Sequence, residues 1–165
     1  MELYVLRHAM AVDAGATSLD AERTLTDEGR ERMRRATRCW TALGIMVDGI
    51  ITSPYLRARE TAQLAAEALG IEDCVEACPD LSPGAEPAEI VRAVTKRWDD
   101  DHRVMLVGHE PDLGRLISVL VCGDDRAGFR MKKAGLTKLV VDDLTAGRCA
   151  VLEWHLWPRH MLRMA

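Results

Sequence analysis

Histidine and arginine recur in this sequence directly after short apolar runs. Arg7-His8 follow Leu3 to Leu6, Arg57 comes shortly after a run ending at Thr52, and His109 follows Arg103 to Val107. A neutral imidazole is a competent nucleophile at phosphorus near neutral pH. Guanidinium groups match the charge and geometry of phosphoryl oxygens. If these four side chains meet, their chemistry is phosphoryl transfer, with an imidazole as nucleophile and fixed positive charge around the phosphoryl group.

The first half of the chain alternates between strand and helix patterns. Leu3 to Leu6 is typical of a buried strand, and Thr26 is placed to cap a helix to about Leu43, with Gly44 as its stop. Gly49 to Thr52 predicts a second strand. Ser53 as N-cap and Pro54 at the first helical position predict a helix to Gly70, with Arg57 in its first turn, where the free amides and the helix dipole favour an anion.

The second half continues the alternation and then changes character. A weak strand around Val75 leads through a Pro- and Gly-rich loop, Pro79 to Pro87, into a helix to about Trp98. Arg103 to Val107 is the clearest buried strand, and Pro111 is placed to open the next helix. The remaining strand-like runs are Leu136 to Val141 and Cys149 to Leu156, joined by a turn at residues 145–147.

This order of elements predicts an α/β fold with three layers: a mainly parallel sheet, helices on both faces, and an antiparallel strand near the C-terminus. Ligands of such sheets bind outside the carboxyl ends of the strands. Arg7, His8, Arg57 and His109 are all expected at that edge.

Composition limits the classes of protein to consider. The 165 residues suit one domain, 1–165, and a net charge of -4 argues against a general nucleic-acid surface. Arg outnumbers Lys 18 to 4, although most of these arginines, including a run from Arg30 to Arg38, are explained by a solvated helix face. The five cysteines are too sparse for a disulfide framework, and no apolar stretch is long enough to span a membrane. We expect a cytoplasmic monomer without a nucleic-acid or membrane partner.

Four segments resemble one known family, the histidine phosphatase superfamily, also called phosphoglycerate-mutase-like. The matching segments are Leu6-Arg7-His8, Arg23-Thr24-Leu25-Thr26 with Gly29, Ser53 through Ala62, and Val107 through Pro111. Within the superfamily, the short chain and the form Arg-His-x-x-Ala, ending at Ala11, are most similar to the SixA-type phosphohistidine phosphatase group. The later segment Lys132 to Leu136 also resembles this group.

The resemblance implies both a mechanism and a substrate class. His8 would attack the substrate phosphorus and form a phosphohistidine enzyme that water hydrolyses, while Arg7, Arg57 and His109 would hold the phosphoryl oxygens. Arg23 would lie near the mouth of the pocket. Neither a metal nor another cofactor is expected, and the partner would be a phosphorylated substrate such as a phosphohistidine-containing signalling protein.

Two positions depart from the family pattern. Ala9 follows the nucleophile where the family usually has Gly, a change that we expect to be tolerated and that would cost about 1 to 2 kcal/mol if the backbone needed a positive φ. The loop expected to carry the general acid contains only Asp80 and Glu86 as candidates, and Glu86 is as well explained as a helix cap. A weak acid fits phosphohistidine, because an imidazole leaving group is far less basic than an alkoxide.

Alternative functions remain open at this point. The leaving-group argument applies equally to acyl phosphates, so a phosphatase of small-molecule or acyl phosphates in the same superfamily is one alternative. A phosphate-binding scaffold that lost turnover through Ala9 and a missing acid is another. Retention of the two histidines and two arginines favours an enzyme.

Overall fold

The computed structural model describes residues 1–15 and 19–165, and within these ranges the chain forms one six-stranded sheet. No described helix is long and apolar enough to cross a membrane. The strands are β1 (Glu2–Arg7), β2 (Gly49–Thr52), β3 (Val75–Ala77), β4 (Arg103–Gly108), β5 (Leu136–Val141) and β6 (Ala150–Leu156). The helices are α1 (Asp27–Thr37), α2 (Leu56–Leu69), α3 (Pro87–Thr95), α4 (Asp112–Cys122) and α5 (Pro158–Met164).

The sheet has the strand order β3-β2-β4-β1-β5-β6. Strands β3, β2, β4 and β1 are mutually parallel, whereas β5 lies antiparallel between β1 and β6. The predicted mixed, mainly parallel sheet with antiparallel pairing near the C-terminus is confirmed. The carboxyl ends of β1, β2 and β4 are neighbours at one edge, because β4 lies between the other two.

Apolar cores cover both faces of the sheet, which gives the predicted three layers. In β1, Tyr4 and Leu6 belong to the core beneath α1 and α2, while Leu3 and Val5 belong to the core beneath α3 and α4. Strand β4 divides its side chains between the two cores in the same way. Central strands that are buried on both faces have nearly continuous apolar sequences, which is why these two strands are the easiest to recognise in the chain.

Helix α1 is shorter than the sequence predicts. Thr26 caps it as expected, since its hydroxyl accepts the Gly29 amide at 3.0 Å, but the helix ends at Thr37 and not near Leu43. Tighter turns continue the chain from there to Gly44, which has a φ of +66° and is the predicted stop. The buried side chains of Cys39 and Trp40 pack into the core from these turns, so tertiary packing overrides the helical pattern.

The predicted boundaries of two other helices are also wrong. Helix α2 begins at Leu56, and Ser53 does not cap it, because the Ser53 hydroxyl lies 2.8 Å from the imidazole of His109. Helix α3 ends at Thr95 before Trp98, whose indole ring lies directly against the backbone of Gly49. Side-chain partners distant in sequence decide both boundaries.

Two further elements near the ends of strands differ from expectation. Pro111 is the N-cap of α4 and not its first helical residue. Helix α5, with Pro158 in its first turn, follows β6 directly and was not predicted at all. Its seven residues are too few for a helical period to stand out in the sequence.

Gly29 sets how closely α1 approaches the segment that follows His8. A Cβ atom on Gly29 would lie 2.2 Å from the carbonyl oxygen of Met10, which also accepts the Thr26 amide. Gly29→Ala must therefore push the helix and this segment apart. We expect a loss of about 1 to 3 kcal/mol in the free energy of unfolding, measured by urea denaturation. Gly128→Ala is the matched control, because no described atom lies within 4 Å of its added Cβ. An equal loss in the two variants would contradict this role for Gly29.

Candidate active site

The four side chains predicted to do chemistry meet at the carboxyl edge of the sheet. Strand β1 ends at Arg7 and delivers His8, β4 delivers His109, and the first turn of α2 delivers Arg57. His8, Arg57 and His109 are 6%, 5% and 3% exposed, and the two imidazole ring centres lie 5.1 Å apart. The structure thus forms a cluster of two imidazoles and two guanidinium groups, in which His8, Arg57 and His109 are buried and Arg7 is half-buried.

The hydrogen bonding of His8 leaves one ring nitrogen free to react. Its Nδ1 lies 2.7 Å from the carbonyl oxygen of Ala9, which can only accept, so Nδ1 carries the proton and Nε2 holds a lone pair. Burial, followed by repulsion from His109, Arg57 and Arg7, lowers the pKa of His8 to about 3. The imidazole is therefore neutral at physiological pH, as a nucleophile must be.

Ala9 occupies an ordinary backbone conformation. Its φ is not positive, so the strain that replacement of Gly would cause in the left-handed region does not arise here. The Ala9 amide donates to the hydroxyl of Thr61 at 3.0 Å, and that hydroxyl donates to the carbonyl of Arg57 at 2.7 Å. One threonine thus fixes the residue after His8 to the helix that carries Arg57.

His109 is oriented by Ser53 at the end of β2. The Ser53 hydroxyl accepts the Tyr55 amide at 3.3 Å, so its own proton is available for Nε2 of His109, 2.8 Å away. When the hydroxyl donates to Nε2, the ring proton of His109 lies on Nδ1. Burial and the nearby Arg57 lower the pKa of His109 to about 4, so this imidazole is also neutral and can donate from Nδ1.

Arg7 is held by the chain segment that precedes β5. Its Nη1 donates to the carbonyl oxygen of Met131 at 2.7 Å, and the amide of Met131 donates to the carboxylate of Glu110 at 2.7 Å. Glu110 directly follows His109, so it links the position of Arg7 to that of His109. Burial raises the pKa of Glu110. Sequence reasoning assigned no role to this residue.

Asp20 is a second acidic residue of the site that the sequence did not point to. Arg57 donates to the Asp20 backbone carbonyl at 2.7 Å and to its carboxylate at 2.9 Å, and Arg23 donates to the same carboxylate at 2.8 Å. These contacts place Arg23 beside the cluster, and they lower the pKa of Asp20, with the Arg23 contact as the largest cause. The available signal was the spacing of Asp20 and Arg23, which suits an i,i+3 ion pair on one helical turn.

Among the described residues, three buried nitrogens of the predicted site residues have no hydrogen-bond partner. They are Nε of Arg7, Nε of Arg57 and Nδ1 of His109. Buried N–H groups are nearly always paired, so each of these positions is suited to an acceptor from a ligand. An anion with several peripheral oxygens, such as a phosphoryl group, can pair with all of them.

The two candidate general acids lie outside this cluster. The Glu86 carboxylate binds Arg115 at 2.7 Å and takes part in the capping box of α3, which is the structural role considered for it in the sequence. Asp80 is exposed, and its described contact is with the thiol of Cys78 at 3.8 Å. The structure does not bring either carboxylate to His8.

The cysteines take no part in the cluster. Cys74 is exposed and Cys78 is buried, and both are free thiols. Across residues 1–15 and 19–165, no group of three or more His, Cys, Asp or Glu side chains is arranged to hold a metal ion.

The depressed pKa values of His8 and His109 predict how stability depends on pH. Because both lie below 6.5 in the folded protein, the unfolded chain binds more protons under mild acid, and stability falls as the pH drops below about 6.5. Most carboxylates titrate at lower pH, and the raised pKa of Glu110 acts on stability in the opposite direction, so the loss of stability between about pH 7 and pH 5 comes from the histidines. We expect the melting temperature to fall by about 5 °C or more over this range.

The double variant His8→Gln/His109→Gln should show a much smaller fall in melting temperature over the same range. His155, whose pKa burial also lowers, stays in both proteins and accounts for a remaining slope. An equal fall in the wild type and the variant would show that other groups cause the acid sensitivity.

The Asp20 carboxylate competes with any anion for Arg57. Asp20→Asn removes that competing charge, so we expect orthovanadate, a phosphate-like anion, to bind about three- to tenfold more tightly in isothermal titration calorimetry. Glu22→Gln in the same helical turn is the matched control, because Glu22 is exposed. Weaker binding to the Asp20 variant would mean that the carboxylate serves mainly to orient Arg57.

The chain is similar to several known proteins along most of its length. The profile of the histidine phosphatase superfamily (branch 1) matches residues 3–82. An uncharacterized protein of Picosynechococcus sp. is 37% identical over 145 residues, which are 84% of each chain. The phosphohistidine phosphatase SixA of Escherichia coli is 24% identical over 100% of this chain and 98% of its own. The solved structure of SixA complexed with tungstate has a TM-score of 0.84 at 20% identity, covering 98% of this chain and 99% of that one. The chain belongs to branch 1 of the histidine phosphatase superfamily.

Proposed function

We propose that this protein hydrolyses phosphohistidine in a signalling protein, through a covalent phosphohistidine intermediate on His8. The observation that carries the proposal is the combination of a neutral His8, with Nε2 free, and unpartnered N–H groups on Arg7, Arg57 and His109. A nucleophile therefore faces donors that suit the oxygens of a phosphoryl group. Arg23 does not contact the phosphoryl group in this scheme and holds the Asp20 carboxylate beside Arg57.

The reaction has two displacement steps. In the first, the Nε2 lone pair of His8 attacks phosphorus, and the substrate imidazole leaves with the electrons of its bond to phosphorus and takes a proton from solvent. In the second, water attacks the phosphorus on His8, loses a proton to solvent, and releases inorganic phosphate as the His8 imidazole is restored. Arg7, Arg57 and the Nδ1–H of His109 hold the phosphoryl oxygens through both steps.

The carboxylates around the site favour a leaving group that needs little help from an acid. Asp20 is bound by two arginines, Glu86 is bound by Arg115, and Glu110 accepts a backbone amide. An alkoxide leaving group depends on a proton donor, whereas an imidazole departs more readily. This supports phosphohistidine over sugar phosphates. Acyl phosphates also have a weakly basic leaving group and form the second candidate.

The comparisons support the same substrate class. Relatives that cover nearly the whole chain are named as SixA phosphohistidine phosphatases, and one of them binds tungstate, a tetrahedral oxyanion like phosphate. The extent of the match along the chain is consistent with a protein that works as one domain. We propose a monomer that acts without a metal, since Arg7 and Arg57 supply positive charge at the phosphoryl group.

The covalent step can be tested with a labelled phosphoryl donor. Brief incubation with ³²P-labelled phosphoramidate followed by rapid denaturation should give acid-labile label on His8. His8→Ala should abolish both the label and hydrolysis, because it removes the Nε2 lone pair that attacks phosphorus. Hydrolysis by His8→Ala at the wild-type rate would eliminate the covalent mechanism. If the wild-type protein binds phosphate but releases none from the labelled donor, it is a scaffold without turnover.

The substrate class requires a parallel comparison of kcat/KM. The panel consists of a phosphohistidine protein, acetyl phosphate as an acyl phosphate, p-nitrophenyl phosphate and several sugar phosphates. We expect kcat/KM for the phosphohistidine protein to be at least about 100-fold higher than for the sugar phosphates. A positioned general acid contributes a factor of this size, and only the sugar phosphates need one. A preference for a sugar phosphate would overturn the proposal, and a preference for acetyl phosphate would favour the second candidate.

A further inference from the structure

A cavity of 530 Å³ adjoins the candidate active site and shares Arg7 with it. One wall is the first half of α1, including Arg32. The segment before β5, with Lys132 and Lys133, forms a second wall, and the corner between β6 and α5, with Trp157 and Arg159, forms a third. The reaction itself uses none of these side chains except Arg7.

Sheet topology explains why the cavity lies beside the nucleophile. Strand β5 is antiparallel to β1, so the segment entering β5 lies at the carboxyl edge, where β1 ends. Strand β6 is antiparallel to β5 and therefore also ends at this edge, next to Trp157. Along the sheet, the order is the His109 strand, the His8 strand, the lysine segment and the Trp157 corner.

The lining of the cavity is strongly cationic. It contains Arg7, Arg32, Lys132, Lys133 and Arg159, and no carboxylate is among its lining residues. In the described part of the chain, none of the last four forms an ion pair, although the protein carries a net charge of -4. Many other basic side chains do form ion pairs, for example Arg23, Arg30, Arg57, Arg97, Arg103 and Arg115. The positive charge that lines this cavity is thus not compensated by a carboxylate of the described residues.

Trp157 holds two of these cations in place. The Arg159 guanidinium lies 4.5 Å from the centre of the Trp157 ring and the Lys132 ammonium lies 5.4 Å from it. Cation–π contacts of this kind restrain side chains that would otherwise be mobile. Because cations cover the ring, the cavity is suited to recognise negative charge and not a flat aromatic group.

We propose that this cavity docks acidic side chains that flank the phosphorylated histidine of a protein substrate. The inference rests on the proposed function and adds a determinant of substrate choice. Arg32, Lys132, Lys133 and Arg159 are exposed and come from three parts of the chain around an open cavity, unlike the buried Arg57. Such dispersed charges complement carboxylates on a protein surface, and they act mainly on encounter and specificity.

The test uses two phosphohistidine peptides of the same length, one with Asp and Glu flanks and one with Asn and Gln flanks. For the wild type, we expect kcat/KM to be about tenfold higher with the acidic peptide. Raising the salt concentration from about 0.05 M to about 0.5 M should bring this ratio towards one, since exposed charges are screened. This second measurement needs no variant.

Lys132→Glu/Lys133→Glu should bring the ratio of the two kcat/KM values to one or below. The matched control is Arg34→Glu/Arg148→Glu, which makes the same change in net charge at exposed positions outside the cavity and should keep the ratio near tenfold. Circular dichroism confirms that each variant is folded. An equal fall in the ratio for both double variants would overturn the docking site, because net charge alone would then explain it.

The remaining outcomes separate this inference from the proposed function. If the wild type hydrolyses both peptides at the same rate, docking is wrong and the phosphohistidine activity stands. If it hydrolyses neither peptide, both are wrong. A third outcome concerns small molecules: the lysine variant keeps the peptide ratio, but its hydrolysis of glucose 1,6-bisphosphate falls relative to that of glucose 6-phosphate. The cavity would then bind the second phosphate of a small molecule. That result would overturn the docking of acidic side chains.

Discussion

The concentration of positive charge at one edge of the sheet constrains both the protonation state of the two histidines and the choice of groups that hold the cluster together. Burial, and after it the positive charge of Arg57 and Arg7, makes protonation of either His8 or His109 unfavourable. Both rings are consequently neutral, and one nitrogen of His8 keeps a lone pair. The chemical competence of the site therefore follows from its electrostatics and burial before any substrate arrives.

Maintaining such a cluster requires partners that fix its members without neutralising it. Backbone carbonyls do much of this: Ala9 fixes the ring of His8, and Met131 holds Arg7. The hydroxyl of Ser53 orients His109. Asp20 is the exception, since it places a full negative charge on Arg57. It lies at the surface end of the cluster, where a substrate anion can exchange with it.

Much of the fold and the central residues could be predicted from the sequence, for specific reasons. Strands β1 and β4 are buried on both faces and read as unbroken apolar runs, and each is followed by a histidine that the parallel topology must bring to the same edge. What could not be predicted depends on contacts distant in sequence. Trp40 ends α1 early by entering the core, Ser53 serves His109 in place of capping α2, and Asp20 meets Arg57 across 37 positions.

The antiparallel strand β5 has a consequence for how the protein can change over evolution. The parallel strands deliver His8 and His109, whereas β5 and β6 bring a separate set of side chains to the same edge. Replacements in the segment before β5 or after β6 therefore change the surface beside the two histidines, while the strands that carry these histidines remain untouched. Because β5 runs in the opposite direction, the residues proposed to select a substrate and those proposed to react with it lie on different strands of one sheet. Each set can therefore change without the other.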